Sequence, residues 1–220
     1  MALKRIALIH AVAVAMPPVA AAFAEQWPDA ELVNLLDDSL SVDRGKSPEL
    51  SPEMHRRINA LADYAHGLGA DGILYTCSAF GAAIEAAARA TGKPVLKPNE
   101  AMFEAALAAG KRIGMIGTFE RSLPGMEQEF RDLVAERGAQ ASITSICVPA
   151  AMPALQKGDR ATHDLLLAEA ATRLAGCDAI MLAQFSTSVA APAVQARMKV
   201  PVLTSPGSAV AKMKRLLAVA

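Results

Sequence analysis

Aromatic residues make up only 4% of this 220-residue sequence, and charge of one sign is missing: 22 Lys plus Arg stand against 22 Asp plus Glu. Without a field of one sign there is no broad face to gather phosphates or anionic lipid, so neither nucleic acid nor a membrane surface is an expected partner. Cysteine is scarce too. Cys77, Cys147 and Cys177 are odd in number and carry no paired spacing, which argues against a disulfide framework or a cysteine-rich zinc site and suits a reducing, cytoplasmic compartment. No apolar run is long and unbroken enough to span a bilayer. G-x-G-x-x-G, Walker and H-E-x-x-H patterns are absent, so nucleotide and zinc readings have no support and no metal site is expected. What the sequence does have is short apolar runs, 53% hydrophobic residues in all, separated by Gly, Pro and charge. That is the composition of a globular chain with a large core.

The chain repeats itself. Lys4-Arg5-Ile6-Ala7-Leu8-Ile9 returns as Lys111-Arg112-Ile113-Gly114-Met115-Ile116, Asp71 as Asp178, and Pro94-Val95-Leu96 as Pro201-Val202-Leu203, all at an offset of 107 residues. Lys4 and Arg5 ahead of an apolar stretch ending Ala22-Phe23-Ala24 imitate a secretory signal. The second copy, deep in the chain, makes the first a buried strand instead. Each half then reads as a buried strand (4–10 and 111–117), helical and strand segments, a second buried strand ending in a loop (72–77 and 179–184), a helix, and a short strand after the proline.

Helix signals agree with this order. Ser51 is a good N-cap with Pro52 at the first helical position. Met54, Ile58, Leu61, Ala65 and Leu68 follow on one face. Met126, Phe130, Leu133 and Val134 form a second stripe ended by Gly138, and Leu166, Ala170 and Leu174 a third before Gly176. Runs apolar at consecutive positions, such as Ile73-Leu74-Tyr75 and Ala179-Ile180-Met181-Leu182, must be covered on both faces, as in a parallel sheet between helix layers. The expected fold is α/β: two pseudosymmetric lobes, each a roughly four-stranded parallel sheet flanked by helices. Residues 1–104 plus a C-terminal helix over about 206–220 form lobe one, and 105–205 form lobe two.

Ligands of such sheets bind beyond the carboxyl ends of the strands. The matched loops, Tyr75-Thr76-Cys77-Ser78-Ala79-Phe80-Gly81 and Leu182-Ala183-Gln184-Phe185-Ser186-Thr187-Ser188, are therefore the candidate site, facing a cleft between the lobes. Cys77 and Gln184 are counterparts at the repeat offset.

On these residues, on Lys111 to Thr118, and on the Pro-Val-Leu segments after each loop, the chain resembles the aspartate/glutamate racemase superfamily over essentially its full length. That superfamily includes hydantoin racemases, maleate isomerase and arylmalonate decarboxylase. The resemblance implies a cofactor-independent enzyme of small carboxylates, commonly a homodimer, in which a thiol from each lobe removes or delivers a proton at the carbon beside a carboxyl group. A proton there is weakly acidic, so an activated base, an acid and donors to the enolate-like oxygens are all needed. Cys77, ahead of a helix, fits the first thiol, with the helix N-terminus expected to favour the thiolate.

At the second position this chain has Gln184, whose amide does not exchange protons near neutral pH and can only position or hydrogen-bond. A single thiol leaves three readings: a one-sided racemase-type isomerase, a malonate-type decarboxylase with Cys77 as proton donor, or a non-catalytic carboxylate-binding protein. Cys77 and Gln184 are the candidate catalytic residues. His10, Thr76, Thr118, Phe119 and Phe185 are candidate substrate contacts, and Ser78, Ser186, Thr187 and Ser205 candidate carboxylate donors. Cys147 and Cys177 read as apolar packing, and His55, His66 and His163 as solvent-facing helical residues.

Overall fold

The computed structural model describes residues 3–46 and 49–218. Residues 1–2, 47–48 and 219–220, which include the last two positions of the helix expected over 206–220, lie outside the described residues. The chain divides into two compact units, one running to Ala101 and resuming at Ala209, the other Met102–Ser208. The first nine elements are β1 (Arg5–His10), α1 (Met16–Gln26), β2 (Glu31–Leu36), α2 (Ser39–Arg44), α3 (Pro52–Gly67), β3 (Gly72–Tyr75), α4 (Gly81–Thr91), β4 (Val95–Leu96) and α5 (Glu100–Ala109). Then come β5 (Arg112–Gly117), α6 (Leu123–Glu136), β6 (Ser142–Cys147), α7 (Ala151–Gln156), α8 (Arg160–Thr172), β7 (Ala179–Leu182), α9 (Ala191–Gln195), β8 (Val202–Thr204) and α10 (Ser205–Ala218).

Each unit holds one four-stranded sheet, in the orders β2-β1-β3-β4 and β6-β5-β7-β8, and every pairing is parallel. The strands that sequence marked as consecutive apolar runs occupy the central places. β3 and β7 are buried at all four positions, while the edge strands β2 and β6 are only partly covered. Along β7, Ile180 and Leu182 join one core with Leu167 and Ala171 of α8, whereas Ala179 and Met181 join another with Phe103 of α5 and Phe130 of α6. The two-residue alternation of a strand thus feeds a helix layer on each face.

The repeated aspartates have a structural task. Asp71 accepts the Arg5 N–H at 2.9 Å while its own N–H donates to the Arg5 carbonyl at 2.8 Å. Asp178 makes the same bracket with Arg112, at 2.9 and 2.6 Å, and also accepts the Lys111 N–H at 2.9 Å. Each bracket fixes where the two central strands of a sheet begin relative to one another.

Helix α3 starts where its cap predicts: the Ser51 hydroxyl accepts the Met54 N–H at 3.3 Å and Pro52 follows. Its buried face is Met54, Ile58, Ala62 and Ala65, so Ala62 replaces the expected Leu61 and Leu68, which are partly covered. Of the expected stripe Leu166, Ala170 and Leu174, the last two are buried, whereas Leu166 is only partly covered and Leu167 joins His163, Ala168 and Ala171 on the buried face of α8. Leu167 enters the core with Ile116 of β5 and Ile180 and Leu182 of β7, leaving Leu166 at its margin. His163, expected to face solvent, is fully buried, with Nδ1 2.7 Å from the Asp164 carboxylate. Cys147 and Cys177 pack at the edges of the two cores of the second unit, as apolar residues do.

Candidate functional site

In the first unit the site residues stand where β1 and β3 end side by side. The Thr76 N–H donates to the Ile9 carbonyl at 3.0 Å, extending the sheet by one residue and delivering Cys77 at the strand end. His10 is fully buried there, its Nδ1 2.9 Å from the Thr76 hydroxyl and its Nε2 3.0 Å from the Asn34 amide oxygen on β2. A neutral ring protonated on Nε2 satisfies both partners, donating to Asn34 and accepting from Thr76. Burial holds the His10 pKa below its ordinary value, partly opposed by Asn34. His10 and Thr76 thus spend their polar atoms on one another and on the strand ends. Asn34 was not picked out by sequence reasoning. Its signal was one amide within the otherwise apolar run Leu32-Val33-Asn34-Leu35-Leu36.

Cys77 is partly buried and precedes a single 3-10 turn, Ser78–Phe80, that leads into α4. Burial pushes its thiol up from the ordinary value, while the Ala79 N–H and the Arg44 guanidinium pull it down. The expected activation by a helix N-terminus is outweighed by burial: Cys77 precedes a three-residue turn and not the long helix, and its side chain caps neither. Ser78 is partly exposed beside it. In the same unit, the segment after β1 and the segment of α2 line an open recess of about 700 Å³, bounded in part by Val12, Val14, Ser39, Val42, Asp43 and Lys46 and not by Cys77. Val14 and Val42 are exposed, 59% and 60%.

The second unit carries the same strand-end loop with different chemistry. Gln184 has φ 73° and ψ 145°, the one positive φ outside glycine among the described residues. Its amide oxygen accepts from the Thr118 N–H and the Thr118 hydroxyl, both at 3.0 Å, and its Nε2 donates to the Ser122 hydroxyl at 2.7 Å. Ser122 in turn donates to the Phe119 carbonyl at 2.8 Å. The side chain is thus a clamp between the ends of β7 and β5. Beside it, Gly117 makes room for Leu123: a Cβ there would lie 2.6 Å from the Leu123 Cδ2, and in ordinary contact, 3.6 Å, with the Gln184 Nε2. Gly117 is the repeat counterpart of His10, so where the first unit fills the strand end with imidazole, the second has no side chain there. Ser122 was missed because nothing local distinguishes it from an ordinary turn serine.

The remaining candidates all lie in the second unit. Thr187 is buried and its hydroxyl donates to the Ala183 and Gln184 carbonyls, the second at 2.8 Å, closing the turn that presents Gln184. Phe185 and Ser186 are buried beside it. Thr118 is buried under the clamp, whereas Phe119 projects at 56% exposure. Ser205 is buried with its hydroxyl 3.6 Å from the Met102 sulfur, at the start of α10. No cluster of three or more His, Cys, Asp or Glu suited to a metal ion occurs among the described residues. No described helix is long and apolar enough to cross a membrane.

Among solved structures, the chain is similar to glutamate racemase from Bacillus anthracis, with TM-score 0.69, 15% identity, and coverage of 98% of this chain and 82% of that one. It is similar also to allantoin racemase from Klebsiella pneumoniae, with TM-score 0.69, 20% identity, and coverage of 98% and 88%. A cysteine-substituted arylmalonate decarboxylase in a sulfate-associated form aligns with TM-score 0.70 at 21% identity, over 98% of this chain and 94% of that one. At such identities the likeness establishes the fold. No curated protein matches significantly. The Asp/Glu/Hydantoin racemase family model matches residues 15–175, which take in the Cys77 loop, β5 and the Thr118 end of the clamp. The chain belongs to the Asp/Glu/Hydantoin racemase family.

Proposed function

We propose that this protein is a cofactor-independent, racemase-type isomerase in which Cys77 exchanges the proton on the carbon alpha to a carboxylate. The observation that carries this reading is a lone thiol at the carboxyl end of a central parallel strand, in a chain of a racemase family. As a thiolate, Cys77 removes the alpha proton, and the electron pair moves into the carboxylate as an enolate. The Cys77 thiol can return a proton only to the face it came from, so inversion is completed by solvent water, which protonates the opposite face while the thiol gives its proton up to solvent. Burial favours the neutral thiol at rest, so the Ala79 N–H and Arg44 supply the stabilisation that the thiolate form needs. Gln184, in the place of a second thiol, neither gives nor takes protons near neutral pH, and three of its hydrogen-bonding positions are already engaged.

A second reading, decarboxylation of a malonate-like acid, is favoured by that protonated thiol and by the absence of an exchanging group at Gln184. There the bond from carbon to carboxylate breaks, carbon dioxide leaves, the electron pair stays on carbon, and the Cys77 thiol supplies the proton, to be reprotonated by water. Incubation of small chiral carboxylic acids and substituted malonates in deuterated water separates the two. The isomerase exchanges the alpha hydrogen without gas, whereas the lyase releases carbon dioxide and leaves one deuterium. Cys77→Ala is expected to lower either rate at least ~100-fold. Turnover retained in that variant would refute both. Protection of Cys77 from alkylation by a carboxylate that is never turned over would instead indicate a binding protein.

A further inference from the structure

We propose that Arg57, on α3, is a positioning residue for Cys77 and acts through Arg44: it straps α2 down so that Arg44 holds the loop carrying the thiol. This rests on Cys77 being the reactive thiol of the proposed function, but not on which reaction that thiol performs.

The strap is a fan of hydrogen bonds from one guanidinium. Arg57 Nη1 donates to Asp43 at 2.8 Å, and Nη2 donates to Asp37 at 2.6 Å and to the Ser39 hydroxyl at 2.5 Å. Asp37 and Ser39 sit at the start of α2 and Asp43 near its end, so a single side chain fixes both ends of a six-residue helix. Such a helix is far too short to hold its shape by its own hydrogen bonds. The Ser39 hydroxyl also donates to Asp37 at 2.6 Å, and Lys46 reaches Asp43 at 2.8 Å. Asp37 and Asp43 are thereby tied to Arg57 and Lys46, while Asp38, the N-cap of α2, bonds to neither. Arg44, the last residue of α2, points its Nε at the Ala79 carbonyl, 3.2 Å away. Ala79 is the residue whose N–H faces the Cys77 sulfur, and Arg44 is the charged group that favours the thiolate. The path from α3 to the loop that carries the thiol therefore runs Arg57, α2, Arg44, Ala79, each step a hydrogen bond or the covalent chain. Arginine suits the task because its planar fork reaches two carboxylates at once, which a lysine does not.

The test follows Cys77 itself. Full-length wild type, Arg44→Met, Arg57→Met and the double variant are treated with iodoacetamide from pH 6 to 10, and alkylation of the Cys77 peptide is followed by mass spectrometry, separately from Cys147 and Cys177. Arg44→Met is expected to move the Cys77 profile to higher pH and slow alkylation at pH 8 by roughly three- to tenfold, the equivalent of half to one pKa unit. Arg57→Met is expected to move it the same way, and the double variant to add little to Arg44→Met, since both lie on one path. A folded Arg57→Met protein with the wild-type profile would overturn the proposal, as would shifts that simply add. Should Arg57→Met fail to fold, Asp43→Asn cuts one leg of the strap and must shift the profile in the same direction, an unmoved profile again overturning the proposal. A role in stability alone would lower the melting temperature and leave the alkylation profile in place. Because the readout is alkylation and not turnover, failure here is distinguishable from failure of the proposed reaction.

Discussion

Gln184 holds a backbone conformation that costs a side-chain-bearing residue about 1–3 kcal/mol, and it is kept there by the hydrogen bonds of its own amide to Thr118 and Ser122. Two substitutions separate those opposing terms. Gln184→Ala keeps the strained φ and loses the clamp, with an expected cost of about 2–4 kcal/mol at 0.5–1.5 kcal/mol for each hydrogen bond lost. Gln184→Gly loses the same bonds but removes the strain, and although glycine loses more chain entropy on folding, it should remain about 1 kcal/mol more stable than the alanine variant. Urea denaturation of the two variants reads the difference, and an alanine variant as stable as the glycine one would show that position 184 is not strained. The position of Gln184 was legible from the repeat offset, as was that of Cys77. What the side chain does there was not, because its partners lie 62 and 66 residues away, across a strand pairing that no local pattern records.

Elements differ in how much of themselves they write into sequence. Helix α3 carries its cap, its first-turn proline and its apolar stripe in one short stretch; the cap and the proline are realised, and of the stripe Met54, Ile58 and Ala65 are buried while Leu61 and Leu68 are only partly covered. Ser51→Ala should lower stability by about 1 kcal/mol, the usual value of an N-cap side chain, without changing the reactivity of Cys77. A thermal melt checks the first half and the alkylation rate the second. Helix α8 shows the opposite. Its two leucines at 166 and 167 allow two faces, and only packing against β5 and β7 decides for Leu167. The same ambiguity concealed the burial of His163, one turn earlier on the face that won. Helix α2 was not legible at all, since Asp37, Ser39 and Asp43 look like a solvated turn until Arg57 arrives from α3. The central strands, by contrast, were visible because a strand covered on both faces has no polar alternation to disguise it.

At the scale of the whole molecule the repeat predicts how the protein responds to acid, because the two units keep different groups at matched strand ends. In the first unit His10 is buried, and its pKa is lowered from the ordinary 6.5 chiefly by burial. Its folded form therefore binds its proton less readily than the unfolded chain does, so its contribution is complete above about pH 6.5 and drains away as pH falls through the folded pKa. The second unit has Gly117, which carries no titrating group, at that place. Both units share the aspartate bracket. Asp178, held by Arg112 and the Arg112 and Lys111 N–H groups, titrates at about 2 in place of 3.8, and Asp71 is shifted in the same direction by the Arg5 N–H and Lys4. Their stabilisation is present above the ordinary carboxylate value and is lost as pH falls toward about 2. The expected melting temperature therefore declines in two stages on acidification, the first beginning near pH 6.5 and the second below pH 4. In His10→Gln, which keeps a hydrogen-bonding side chain without the titration, the first stage should vanish while the second remains. In Asp178→Asn the first should remain and the second shrink. A wild-type melting temperature that is flat between pH 7 and 5 would mean that the imidazole accepts its proton without leaving Thr76 and Asn34, against the burial that separates the first unit from the second.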